Sequence, residues 1–259
     1  MPRSKSLTLS TVPNLPEIQP GDDLPALIMN ALDQDEMSVE DGDIFVIAQK
    51  IVSKSEGRLV NLSTVIPSPK ALKLAEQIEK RPELVELILE ESNEVLRTRP
   101  GTIIVEHKSG FVCANAGIDH SNVRGPWGEP EDWVLLLPED ADYSARVLRG
   151  GLERLSGKRI GVLIIDSHGR AWRNGIVGTS IGLAGIPALV DMRGKPDRFN
   201  YSLRVTLIAA ADELAAGASL MMGQAAEGTP VILARGFPYE LAEDRAFRLV
   251  REKQLDLFR

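Results

Sequence analysis

Apolar residues along this chain recur in two rhythms, and each predicts its own elements. Leu24, Leu27, Ile28 and Leu32 follow a helical period behind Gly21-Asp22-Asp23, which suits an N-cap, so a helix is expected there with an extended piece before it from Leu15. A turn at Asp41–Asp43 opens a buried strand at Ile44–Ala48, and the polar stretch after it reads as extended up to a second turn at Ser55-Glu56-Gly57-Arg58. From Ser68 to Val95 the pattern is helical, with a Ser-Pro start and a break near Arg81-Pro82. The span 102–117 predicts a hairpin turning at Lys108-Ser109-Gly110, and a Pro- and Gly-rich loop then leads to a strand at Trp133–Leu137. A helix within 142–156 precedes the apolar run Gly161–Ile165, a buried strand expected to stop at Asp166, Ser167 and His168 and turn. The Ala-rich stretch from Ser202 predicts one long helix ending at Gly223, and GTPVILARGF a last short strand. Strands and helices alternate, so the class is mixed α/β.

The chain of 259 residues is long enough for one large domain or two closely joined lobes, and it contains no repeat or low-complexity linker. A net charge of −7 argues against a nucleic-acid partner, although lysines, arginines, backbone N–H groups or divalent ions can still hold phosphates locally. Cys113 is the single cysteine, so no internal disulfide forms, and its apolar setting reads as burial. His107, His120 and His168 make no HxxxH pair, which disfavours a zinc enzyme. No apolar stretch reaches membrane-spanning length and residues 1–10 lack a secretory leader's apolar core, so a cytoplasmic protein is expected.

Candidate chemistry collects where apolar segments end: Asp119 and Asn122, Asp166 and Ser167, and Gln224. All offer oxygen donors, which suit hard cations such as Mg²⁺ or Mn²⁺, and such ions commonly hold nucleotide phosphates. Lys50 and Lys54 lie an even number of residues apart, so an extended segment would point both to one face as phosphate ligands. Arg58, Arg170 and Arg173 could clamp an anion. Taken one at a time, these residues read equally as turns, caps and a solvated face. The glycine-rich GTSIGLAG is neither GxGxxG nor GxxxxGK[ST], so neither a Rossmann nor a P-loop site is expected.

Taken in order, GDIFVIAQKIVSKSEGR, ANAGIDHSN, IIDSHGRAWRNGIVGTSIGLAGIPAL and DELAAGASLMMGQAAEGTPVILARG resemble the coenzyme F420-0:L-glutamate ligase family, from Leu15 to about Gly236. The resemblance implies GTP-driven addition of L-glutamate to F420-0, with further glutamates added through gamma linkages. It implies a single ligase domain over 1–259 with an unusual α/β fold, an intertwined homodimer and a nucleotide–metal groove; some relatives carry a fused C-terminal flavin-binding domain, which is not expected at this length. The metal ligands it implies are Asp119, Asp166, Ser167 and Gln224, holding two divalent ions, Mg²⁺ or Mn²⁺, and it allows a monovalent cation besides. GTP would be contacted by Leu15, Pro16, Glu17, Ile18, Lys50, Lys54 and Asn122, and by Met222, Gly223, Gln224, Ala225, Ala226, Glu227, Gly228 and Thr229. No general base is implied. Ser167 stands where threonine is expected, His168 where an aromatic residue is expected and Asn200 where glycine is expected. Two alternatives stay open: an amide ligase for another acid–amine pair, and a non-catalytic nucleotide- or deazaflavin-binding protein.

Overall fold

Branched apolar residues build the strands, and helices form where the apolar spacing stretches to three or four. A computed structural model describes residues 6–257; the leader reading rests partly on residues 1–5, which lie outside the described residues. In chain order the strands are β1 (Thr8–Thr11), β2 (Ile44–Ala48), β3 (Leu59–Asn61), β4 (Ser92–Arg99), β5 (Thr102–His107), β6 (Val112–Ala114), β7 (Trp133–Leu135), β8 (Gly161–Arg170), β9 (Arg173–Ala184), β10 (Val190–Asp191), β11 (Leu207–Ile208) and β12 (Val231–Arg235). The α-helices are α1 (Leu24–Gln34), α2 (Gln49–Ser55), α3 (Pro69–Ile78), α4 (Pro82–Glu90), α5 (Ala141–Ser156) and α6 (Ala210–Met222). Among the described residues no helix is long and apolar enough to cross a membrane.

The main sheet runs β1-β12-β2-β8-β9, with β2 and β8 parallel at its centre and the other pairs antiparallel. Alternation sends Phe45, Ile47, Val162 and Ile164 to one face, where they pack with Ile28 and Leu32 of α1 and Leu148 and Leu152 of α5. Ile44, Val46, Leu163 and Ile165 face the other way, onto Leu214, Ala215 and Ala218 of α6. Burial on both faces explains why β2 and β8 read as unbroken apolar runs. The helix over these faces begins as its sequence suggests: the Asp23 carboxylate accepts from Ala26 N at 3.2 Å and caps α1. Residues 62–136 build a separate core of their own, with α3 and α4 packed against the β4-β5-β6 sheet.

Four expectations change. Gln49–Ser55 is helical, not extended, because Gln49, Val52 and Ser53 are the residues that bury fully, a period of three to four that only a helix serves. Lys50 and Lys54 still share a face, as positions i and i+4. β8 does not stop at Asp166: it pairs with β9 through Asp166↔Thr179, Ser167↔Gly178 and His168↔Val177, and turns beyond Arg170. Ladder hydrogen bonds use backbone groups only, so polar side chains do not end the strand. The tail of the helical stretch, Ser92–Val95, instead belongs to β4, which runs on to Arg99 and pairs with β5. The Ala-rich helix starts at Ala210, with Asp212 and Glu213 in its first turn; before it Leu207 and Ile208 form β11 and pair with Asp191 and Val190 of β10.

Candidate functional site

The carboxyl ends of the parallel strands β2 and β8 lie together, the usual place for a ligand site in such a sheet. β2 leads into α2, which carries Lys50 and Lys54. β6 reaches the same region through Asn115, Ala116 and Gly117, three successive residues in the left-handed region at φ 52, 54 and 70°. Glycine is required at the third: a Cβ on Gly117 would stand 2.5 Å from Leu137 Cδ1. This left-handed turn reverses the chain so that Asp119 pairs with Leu135 through both backbone bonds, at 3.0 and 2.9 Å.

Asp119 is held on both oxygens. Oδ1 accepts from Ser121 N at 2.7 Å and Ser121 Oγ at 2.8 Å, and Oδ2 receives the Lys50 ammonium. Lys50 Nζ also donates to Ser121 Oγ at 2.8 Å and Ser121 O at 3.0 Å. Burial alone would raise the Asp119 carboxyl; the Lys50 hydrogen bond and charge, with the Ser121 donors, outweigh it and hold the group below the usual carboxylate range. Four residues along α2, Lys54 Nζ reaches Glu17 Oε1 at 3.4 Å.

The loop after α6 closes the other side. Asn122, itself at φ 55°, donates from Nδ2 to Ala225 O at 2.9 Å. Glu227 folds back to accept from Ala225 N at 2.7 Å, and that bond holds its carboxyl below the ordinary range. Gly223, at φ 72°, permits this, since a Cβ there would collide with the Glu227 side chain. Thr229 Oγ1 donates to Met222 O at 3.0 Å and ties the loop to the helix end. Ser167 Oγ donates to Gln224 Oε1 at 2.8 Å. The side chains of Ile18 and Met222 pack in the cores and Leu15 packs against one of them, so any ligand contact at these positions falls to the backbone.

Asp166 and Ser167 are neighbours on a strand and so face opposite sides of the sheet. Ser167 meets Gln224 on the α6 side. Asp166 shares its side with His168, whose Nε2 lies 3.0 Å from Asp166 Oδ2. The implied metal ligands are therefore grouped in small sets, and among the described residues no cluster of three or more His, Cys, Asp or Glu could hold an ion by itself. Each set supplies only one or two protein donors, so water and substrate phosphates would complete the shell of a divalent ion held there.

Three features escape a reading by residue type. Ser121 locks both Asp119 and Lys50; its signal was the Asp-x-Ser spacing, which favours a local side-chain turn. Gln49 is fully buried with Oε1 accepting from Ser53 Oγ at 2.9 Å, while its Nε2 has no hydrogen-bond partner. A cavity of 490 Å³ is lined by Phe111, by Ser180 and by Thr179, the cross-strand partner of Asp166. Cys113 is buried as expected, and that burial, with Asp166 nearby, pushes its thiol up to about 12, which makes it inert.

The model of the F420-0:Gamma-glutamyl ligase family matches residues 13–236. The coenzyme F420:L-glutamate ligase of Methanothermobacter thermautotrophicus is 44% identical over 255 residues, covering 98% of this chain and 99% of that one. Its counterpart from Methanopyrus kandleri is 43% identical over 258 residues, covering 98% of each, and that from Archaeoglobus fulgidus is 43% identical over 225 residues, covering 87% of this chain and 86% of that one. With the match spanning nearly the whole chain, the protein belongs to the F420-0:gamma-glutamyl ligase family.

Proposed function

We propose that this chain is a cytoplasmic, homodimeric ligase that joins L-glutamate to coenzyme F420-0, and then adds gamma-linked glutamates, with GTP converted to GDP and phosphate. One observation carries the reading beyond family membership. The residues the resemblance assigns to nucleotide and metal, far apart in sequence, meet in pairs: Lys50 with Asp119, Lys54 with Glu17, Asn122 with Ala225 and Ser167 with Gln224.

A carboxylate does not acylate an amine directly, because oxide would have to leave. A carboxylate oxygen of F420-0 attacks the γ-phosphorus of GTP, the bond to the bridging oxygen breaks, and GDP departs. The amine of glutamate then attacks the acyl carbon of the resulting acyl phosphate, phosphate leaves with the electron pair of the broken C–O bond, and the nitrogen gives up one proton, which the departing phosphate or water takes. The protein's contribution is position and charge. Lys50 and Lys54, on one face of α2, supply positive charge to the phosphates. Asn122 and the 223–229 loop would cradle the nucleotide. Asp119, Asp166, Ser167 and Gln224 would hold divalent ions, which offset charge on phosphate oxygens when bound.

The homodimer has its own support. An isolated chain leaves Trp172 at the β8–β9 tip 86% exposed, and Phe199 and Val205 in the arm between β10 and β11 88% and 85% exposed. A second copy seated on this end of the molecule would cover such side chains, and that supports the homodimer reading.

The test is an assay of purified protein with F420-0, L-glutamate, GTP and Mn²⁺, with products resolved by mass. A gain of one or more glutamyl units that requires GTP and metal is expected. Bound GTP with no product would point to another acid–amine pair. Nucleotide binding without phosphate release, whatever the acceptor, would mean a binding protein.

A further inference from the structure

His168 and His107 are both buried with an Nε2 that lacks a hydrogen-bond partner, and His168 differs in how close its carboxylate lies, since Glu91 Oε2 stands 3.9 Å from the His107 Nε2. His168 is 9% exposed, and its Nε2 has no hydrogen-bond partner. Yet Asp166 Oδ2 is only 3.0 Å away. At that distance a hydrogen bond fails only on direction, so the in-plane axis of Nε2 misses the carboxylate oxygen. A buried nitrogen left in this state calls for a partner outside the protein. Two donors bound at a right angle to one metal ion, each about 2.1 Å from it, stand about 3.0 Å apart. The Nε2–Oδ2 spacing is therefore that of a chelating pair, not only that of an ion pair. Positions 166 and 168 lie on one face of β8, where the strand is regular. The Phe111 ring, 5.3 Å from the His168 ring and itself stacked 5.0 Å from His107, braces the imidazole from the side.

We propose that His168 is a nitrogen ligand to the divalent ion held by Asp166, and that it tilts this chain toward first-row transition ions such as Mn²⁺ and away from Mg²⁺. The inference rests on the reading of Asp166 as a metal ligand. Imidazole suits transition ions, whereas Mg²⁺ prefers an all-oxygen shell. Ser167, on the opposite face, belongs to a separate position with Gln224 and does not share this ion.

The test uses the full-length protein with Mn²⁺ and GTP, read by electron spin echo envelope modulation and by Mn²⁺ and Mg²⁺ titration. Wild type should show nitrogen modulation from a directly bound imidazole. His168→Phe, which keeps a ring against Phe111, should lose the modulation and bind Mn²⁺ at least about tenfold more weakly, with a smaller change for Mg²⁺. His168→Gln should also lose the modulation, and unchanged melting temperatures in either variant exclude a folding artefact. Mn²⁺ that binds wild type, and is lost in Asp166→Asn, but shows no nitrogen modulation would overturn the role of His168 and leave the metal reading standing. Modulation that persists in both His168 variants would overturn it as well. If wild type binds no Mn²⁺ with GTP present, the metal reading fails and this inference fails with it.

Discussion

Replacing Gly117 with alanine tests how rigidly the fold aims Asp119. Two costs are expected. The residue sits at φ +70°, where a side chain costs roughly 1–2 kcal/mol. The new Cβ would also meet three Leu137 carbons at 2.5, 2.9 and 3.2 Å, and Leu137 is only 2% exposed, so it cannot swing into solvent. Forcing a methyl into a packed core costs roughly 1–3 kcal/mol more. Gly101 is the matched control, since it sits at φ +77° and a Cβ there would meet nothing within 4 Å. The stiffening of the unfolded chain is common to both variants and cancels in the comparison. Gly101→Ala should therefore lower the melting temperature by roughly 2–8 °C and Gly117→Ala by roughly 4–20 °C, at about 2–4 °C per kcal/mol for a chain of this size. Equilibrium denaturation of Gly117→Ala in a Leu137→Ala background isolates the steric part. With the leucine gone only the backbone cost remains, so the cycle should show a coupling of roughly 1–3 kcal/mol. Equal losses in the Gly117 and Gly101 variants, with zero coupling, would refute the argument that Leu137 fixes this turn.

Asp119→Asn should weaken GTP binding more in the presence of Mn²⁺ than in its absence, by isothermal titration; equal weakening in both would make Asp119 structural only. Burial pushes His107 down to about 4 from 6.5, against the opposing pull of Glu91 and with Lys108, His168 and Arg58 adding to the shift. Its folded value is depressed, so stability is full above about pH 6.5 and falls as pH drops toward 4, by about 3 kcal/mol in all; His107→Phe should flatten that slope in urea titrations, and an unchanged slope would assign it elsewhere. Phe199→Glu together with Val205→Glu should yield a monomer by light scattering, and a persisting dimer would place the interface away from the arm.

Several elements were legible because one local pattern dominated. α1 shows its cap and apolar face in sequence, and Asp23 does accept from Ala26 N. The hairpin of β5 and β6 shows its turn at Lys108-Ser109-Gly110, and the two central strands show themselves by apolar runs too short for a spanning helix. The misread segments carry mixed signals. Gln49–Ser55 has polar residues at both strand-like and helix-like spacings, and only the burial of Val52 together with its neighbour Ser53 and with Gln49 decides between them. Asp166 looked like a strand end because polarity usually marks one; here β9 supplies the partner that lets the strand continue.

The sequence by itself determined the α/β class, the buried strands and the residue types available for phosphate and metal, because these depend on local spacing and side-chain chemistry. Only the tertiary structure decided which of them meet. Lys50 neutralises Asp119, Asn122 holds the loop at Ala225, and Asp166 and Ser167 part to opposite faces with His168 and Gln224 as their separate companions. Such pairings depend on strand order, register and the left-handed turn at Asn115–Gly117, which close over long stretches of chain and leave no periodic trace in it.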